Sequence, residues 1–443
     1  MYLRSVCVAL LAGCTFVACG KSGAPNSGGG PTLRAIQITS SATMILLGAS
    51  AQLTATGSFS DGSTKDITNM VEWNASPIGV ATIKSSGLLT ARKVGNASVQ
   101  GTSGSVNGIA TVSVTARTPA FLFVGGQEST TLEAHRIDPL TGALSSAGSA
   151  AIGTGVLTMA ASPDGRFIYG GGNGVNGAAV DDLSGALITI NSILYPAGSL
   201  LTGMAVTPDG KFLYVSSSNS FWIAAYARDS STGLLSAIAG SPFPTGQLHT
   251  PQAIAVRPDG NFLYVADEDF NTIEIYGIAK DGVLSLVPSQ ASTGDGPFWI
   301  AIDPADSFLY VTNQRDATIS AFGINPDGTL ESIGIFHLPG EPQGIAVDPS
   351  GRFVYVVSGS LISAFTIDLA AGSLSSIAGS PYMAGDSLQR VQIDSSGSFL
   401  YVTNSQTSQV FAFQIDPVSG ALQMRQTISA PSKTWAIAVS AKD

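Results

Sequence analysis

Ile254–Val265 reads IAVRPDGNFLYV: a short apolar strand, a Pro-Asp-Gly turn and an aromatic strand. Pro258 fixes its own φ and Gly260 accepts the left-handed conformation, so the chain reverses tightly between the two runs. TIEIYGI follows at 272–278, then a Gly-containing turn and a weaker fourth run. The aromatic strand recurs seven times, starting at Phe121, Phe167, Phe212, Phe262, Phe308, Phe353 and Phe399. The turn before it recurs as MAASPDGR, MAVTPDGK, IAIDPADS, IAVDPSGR and VQIDSSGS. Four strands in a period of about 46 residues is the pattern of a propeller blade. Helical solenoids of similar period are excluded by the period-2 patterning. The first blade begins directly at Phe121, while the chain finishes on an inner strand, Trp435-AIAVS, with no aromatic strand after it. That last strand is expected to complete the first blade, which removes an exposed sheet edge.

The fold class expected is therefore all-β: a small β-sandwich followed by a seven-bladed propeller closed by the C-terminal strand. With 44% hydrophobic and 11% charged residues the chain is too apolar to be disordered, and 51 Gly and 22 Pro speak for many turns. A formal net charge of −10, with no Lys/Arg cluster, argues against nucleic acid as a partner.

All three cysteines, Cys7, Cys14 and Cys19, lie within the first 19 residues, so neither domain contains a disulfide or a Cys-based metal site. Arg4, the apolar run Val6 to Ala12 and the small residues before Cys14 read as an export signal over residues 1–19. The run is too short to span a bilayer. Residues 20–32, GKSGAPNSGGGPT, have the composition of a flexible tether. From residue 33 to 116 short β-rich runs alternate with turns, which reads as a sandwich. Asp61-Gly62 is placed at a hairpin and Trp73, with Val71, Val80 and Ile83, in the core.

Three resemblances sharpen these readings. Leu11-Ala12-Gly13-Cys14 resembles the bacterial lipobox, which implies lipidation at Cys14, with Cys19 as the alternative, and a location in the cell envelope, anchored to a membrane and facing the periplasm or the outside. QLTATGSFSDGSTKDIT, VEWNAS, VATIKSSGLLTA and TVSV resemble the bacterial immunoglobulin-like group 2 domain, a spacer or adhesion module without catalytic residues. From 119 to 443 the PDGRFLYV-like turns and IDPxTGxL endings resemble the lactonase-type propeller family, which includes the propeller form of 6-phosphogluconolactonase.

That third resemblance implies a site at the channel mouth, built from loops leading into the inner strands and out of the aromatic strands. Opening a lactone needs a base to activate water and a cation or donor for the oxyanion. Glu268, in Asp267-Glu268, holds the family's acidic position, and Arg315 and Arg390 are the candidate cations. The family's Pro-Arg-His run is replaced by Pro251-Gln252-Ala253, Pro297-Phe298-Trp299, Pro342-Gln343-Gly344 and Leu388-Gln389-Arg390. Trp299, Gln343 and Trp435 are the candidate ligand-binding residues, and His249 and His337 are read as exposed loop positions. The acidic run Asp267-Glu268-Asp269 supplies too few ligands for Ca²⁺, so no metal is expected, and no other cofactor is. With 20 Lys and Arg in the chain, a phosphorylated ligand is disfavoured. Two readings stand: a non-enzymatic envelope lipoprotein whose propeller binds a carbohydrate, lactone or protein ligand, and a hydrolase of unphosphorylated sugar lactones. The first is preferred, because the family's His is absent.

Overall fold

A computed structural model describes residues 30–40, 42–46, 50–91, 93–115, 120–191, 194–245 and 250–440. Cys14, Cys19, the signal segment, most of the tether and His249 lie outside the described residues. The described residues contain strands and no helix. They form two compact units, the first built essentially from residues up to Val114 and the second from Thr115 onward.

The first unit is a sandwich of two sheets. One orders Leu33–Ser40, Ser50–Phe59, Leu88–Ala91 and Ala81–Ile83, with Thr64–Asp66 paired to the second of these. The other orders Met44–Leu46, Val106–Thr115, Gly95–Ser103 and Glu72–Ser76. Along Ser50–Phe59 the buried residues alternate, Ala51, Leu53 and Ala55, as a strand with one face on a core demands. Asp61-Gly62 forms the expected turn, with Gly62 at φ 83°. Trp73 packs on the cluster of Ile36, Ala55, Ile67 and Val71, and its indole N–H donates to the Thr68 carbonyl at 2.9 Å.

The second unit is a ring of seven antiparallel sheets. The inner strands of blades one to seven are Thr434–Val439, Thr158–Ala161, Leu201–Val206, Pro251–Val256, Pro297–Ile302, Pro342–Val347 and Leu388–Ile393. The aromatic second strands are Phe121–Gly126, Phe167–Gly171, Phe212–Ser217, Phe262–Asp267, Phe308–Asn313, Phe353–Ser358 and Phe399–Asn404. Third and fourth strands complete each blade outward. The C-terminal strand pairs with Phe121–Gly126, setting Ile437 opposite Val124, so the chain's last strand closes its first blade. Between the first and second strands the turn takes a left-handed residue, Gly260 at φ 77° in blade four and Asp306 at φ 62° in blade five.

One joint repeats around the ring and explains the aromatic motif. The Phe that opens each second strand packs against a glycine in the outer turn of the next blade, as Phe399 does against Gly142. Two residues on, the tyrosine hydroxyl donates to that glycine's carbonyl: Tyr169 to Gly233 at 2.6 Å, Tyr310 to Gly372 at 2.9 Å, Tyr355 to Gly420 at 2.8 Å. Burial raises the pKa of these tyrosines, so the hydroxyls stay protonated donors.

Candidate functional site

Inner strands run away from one face of the ring and second strands run back toward it. Residues at the start of an inner strand and just after a second strand therefore share that face, the channel mouth. Each inner strand from blade three to blade seven opens with a register shift, as between Pro297 and Trp299 and between Leu388 and Val391. Blade one shows the same shift beside Thr434. Such bulges bend a strand and re-aim its side chains. The residues just ahead of three of these strands, Leu200, Ser387 and Lys433, adopt φ of 54°, 61° and 48°. Non-glycine residues held in the left-handed region gather at functional sites. Trp299, Gln343 and Arg390, expected in loops, lie instead inside these strands, as Trp435 does, because the bulge lets a paired strand present them.

Arg390 is the centre of the mouth. It is 5% exposed, and its guanidinium carbon stands 3.9 Å from the centroid of the Trp299 ring, 5.2 Å from that of Phe298 and 5.6 Å from that of Trp435. To reach Trp299 from blade seven the side chain crosses blade six, where the equivalent residue is Gly344. Nη1 donates to the carbonyls of Gln343 at 3.0 Å and Gln389 at 3.2 Å. Nε has no hydrogen-bond partner, nor has the Oε1 of the adjoining Gln389. Among the described residues no carboxylate comes within ion-pair distance of Arg390. Burial draws its pKa down to about 9, which leaves it charged at neutral pH. Thr403, fully buried, fixes the arrangement: its hydroxyl accepts from the Arg390 backbone N–H at 3.0 Å and donates to the Trp435 carbonyl at 3.0 Å. Thr312 accepts from the Trp299 N–H in the same way.

Glu268 lies elsewhere on the rim, after the second strand of blade four. Its Oε1 pairs with Arg315 Nη2 at 2.6 Å and its Oε2 accepts from the Gln252 side chain. Arg315 also reaches Asp295 at 3.4 Å. Lys433 pairs with Glu128. The three proposed catalytic residues thus divide: Glu268 meets Arg315, whereas Arg390 makes no ion pair with Glu268 and joins Trp299, Gln343 and Trp435. Asp267 and Asp269 build a turn, the Asp269 amide donating to Asp267 at 3.2 Å. His337 ends a fourth strand, exposed as expected but not in a loop. Phe298, Gln252, Gln389 and Thr403 were not anticipated as participants.

Residues 240–342 and 336–438 match the family described as Lactonase, 7-bladed beta-propeller, and residues 33–114 match Bacterial Ig-like domain (group 2). The second unit is a lactonase-type propeller. Solved structures agree in fold. A putative 6-phosphogluconolactonase of Bacteroides uniformis superposes with a TM-score of 0.66 at 19% identity, over 73% of this chain and 99% of that one. The periplasmic gluconolactonase of Pseudomonas aeruginosa does so with a TM-score of 0.63 at 20% identity, over 74% and 100%. At such identities the likeness is one of fold alone, and the chemistry of the lactonase-type propeller here has to be argued from its own mouth. Over 84 residues, 19% of this chain, the sequence is 37% identical to Ice-binding protein 1 of Shewanella frigidimarina. The match spans 9% of that protein's length.

Proposed function

We propose that the chain is an exported envelope lipoprotein, anchored through Cys14 or alternatively Cys19, whose propeller binds a small carbohydrate-derived ligand at the channel mouth without hydrolysing it. The immunoglobulin-like domain is the spacer. The observation that carries the non-catalytic reading is the engagement of Glu268. Both its carboxylate oxygens already accept hydrogen bonds, from Arg315 and Gln252, so the protein and not a substrate water sets the orientation of the group. The free recognition groups lie instead around Arg390, Trp299 and Trp435.

A second reading, a lactone hydrolase, draws on the same contact, since an acid beside a cation is what ring opening needs. The deciding experiment uses the soluble chain lacking residues 1–19 and a panel of aldonolactones, with hydrolysis followed by proton release and binding by calorimetry. Binding without turnover above the spontaneous rate is expected. Turnover that Glu268→Gln abolishes would establish the hydrolase instead. The anchor is tested separately by metabolic labelling with a fatty-acid analogue, which Cys14→Ser is expected to abolish and Cys19→Ser to leave intact.

A further inference from the structure

We infer that Arg390 anchors a subsite for the carboxylate of a sugar acid, and that the mouth is selective for carbohydrate monoanions over neutral sugars and phosphorylated ones. The inference rests on the proposal that the mouth binds a ligand.

Its first support is an imbalance. A buried cation is expensive unless a counter-charge accompanies it. The chain supplies Arg390 with two carbonyls, both on Nη1, and the faces of Phe298, Trp299 and Trp435, but no anion among the described residues. The other cations placed on this rim are already neutralised, Arg315 by Glu268 and Asp295, Lys433 by Glu128. One uncompensated charge matches a carboxylate; a phosphate dianion demands several convergent cations.

The second support is the pair of orphaned atoms on consecutive residues, the Nε donor of Arg390 and the Oε1 acceptor of Gln389. Both are buried, and leaving either unmatched costs free energy. A hydroxy acid brings an acceptor for the first and an O–H donor for the second. A simple carboxylate such as acetate brings only the former. The third support is the aromatic surround. Trp299 and Trp435 are half-buried, so part of each residue stays accessible. Aromatic faces beside a polar anchor suit a ligand with one apolar C–H face and one hydroxylated edge, which describes a sugar.

The guanidinium would serve a purely structural purpose if it merely braced blades five, six, seven and one. The two roles predict opposite consequences for removing the charge. A brace replaced by Met loses stability. A cation kept for a ligand has been a burden to the unliganded fold, so Arg390→Met melts at the wild-type temperature or above it.

The test is calorimetric titration of the soluble chain lacking residues 1–19 with gluconate, glucuronate, an oligomeric uronate, glucose, gluconolactone, 6-phosphogluconate and acetate. Thermal melts of each variant run in parallel. Binding of gluconate or glucuronate, absent for glucose and acetate, and weakened at least about tenfold in an Arg390→Met protein that melts no lower than wild type, is the expected result. Preference for the oligomer, which carries a carboxylate on every unit, over the free acids would overturn the selectivity for monoanions. Should Arg390→Met fail to fold, Arg390→Lys decides: it keeps the charge but loses the fork, so weakened sugar-acid binding is expected and wild-type affinity would overturn the subsite. Equal binding of glucose and gluconate, or tightest binding of 6-phosphogluconate, would overturn it while leaving the mouth a binding site. No binding of any sugar or lactone would overturn both.

Discussion

The Tyr401 hydroxyl donates to the Gly142 carbonyl at 3.0 Å, joining the seventh blade to the first across 259 residues of sequence. Five further tyrosines make the same bond to the following blade, at Tyr169, Tyr214, Tyr264, Tyr310 and Tyr355. Blade one has Phe123 at that position, so its joint to Gly185 lacks the bond although Phe121 packs against Gly185 as its counterparts do. Phe123→Tyr is expected to complete the ring and to add about 1 kcal/mol, the usual net worth of such a bond. Tyr401→Phe is expected to cost a similar amount or more, since a buried carbonyl is left unmet. Denaturant midpoints of the propeller transition check both, and a destabilised Phe123→Tyr would mean that the first joint is built differently.

The glycine side of the joint is less forgiving. Gly420 has φ 72°, and a Cβ there would lie 2.6 Å from Ile377 and from the ring of Phe353. Gly359, at φ 58°, has nothing within 4 Å of such an atom. Gly359→Ala therefore isolates the left-handed strain, about 1–2 kcal/mol. Gly420→Ala adds overpacking worth about 1–3 kcal/mol. Equal losses for the two in thermal melts would show that the Phe–Gly contact yields freely.

These joints mark what a sequence can disclose. Repetition exposed the aromatic strands, the turns and the unpaired last strand, because each blade meets its neighbours through the same residues. Glu268 and Arg315 were both legible as candidates, and they meet. The cluster around Arg390 was not legible as a cluster. The repeat says which positions reach the mouth but not how far a long side chain travels across it, and Arg390 on blade seven meets Trp299 on blade five, past blade six. Thr403 left a faint signal, since Thr312 and Ser216 hold the same place in their blades and bond the same backbone region.

Acid should loosen the outer turns in a defined window. The backbone N–H and hydroxyl of Ser184 hold Asp181 below its ordinary 3.8, and Ser419 does the same for Asp416. The Ser231 hydroxyl, followed by Thr232, lowers Asp229. A carboxyl with a lowered folded-state pKa binds fewer protons folded than unfolded, so its stabilisation is whole above about pH 4 and disappears as pH falls through the folded value. Asp306 and Asp394, raised by burial, act in the opposite sense above 3.8. Melting temperature is thus expected to fall between about pH 4 and pH 2, and the triple variant D181N/D229N/D416N to flatten that limb alone. An unchanged slope in the triple variant would assign the acid sensitivity to other groups.

Gly344 offers the most direct probe of how the mouth is assembled. A Cβ at this position would lie 2.9 Å from the Gln389 carbonyl oxygen and 3.1 Å from the Arg390 Cα, both backbone atoms that no side-chain rotation relieves. Gly344→Ala must therefore push blade seven's inner strand away from blade six's. The Gln343 carbonyl that accepts from Arg390 is next to the substitution, so the guanidinium loses that bond and its 3.9 Å stacking on Trp299 together. A cost of about 1–3 kcal/mol is expected from the displaced backbone. Any further loss through the Arg390 side-chain contacts disappears once the arginine is gone, whereas the backbone cost remains. A double-mutant cycle of Gly344→Ala with Arg390→Met then gives a coupling within about 0.5–3 kcal/mol, where independent sites add to within about 0.5 kcal/mol. Additive losses would show that Gly344 serves only the packing of two strands, and that the reach of Arg390 across the mouth does not depend on it.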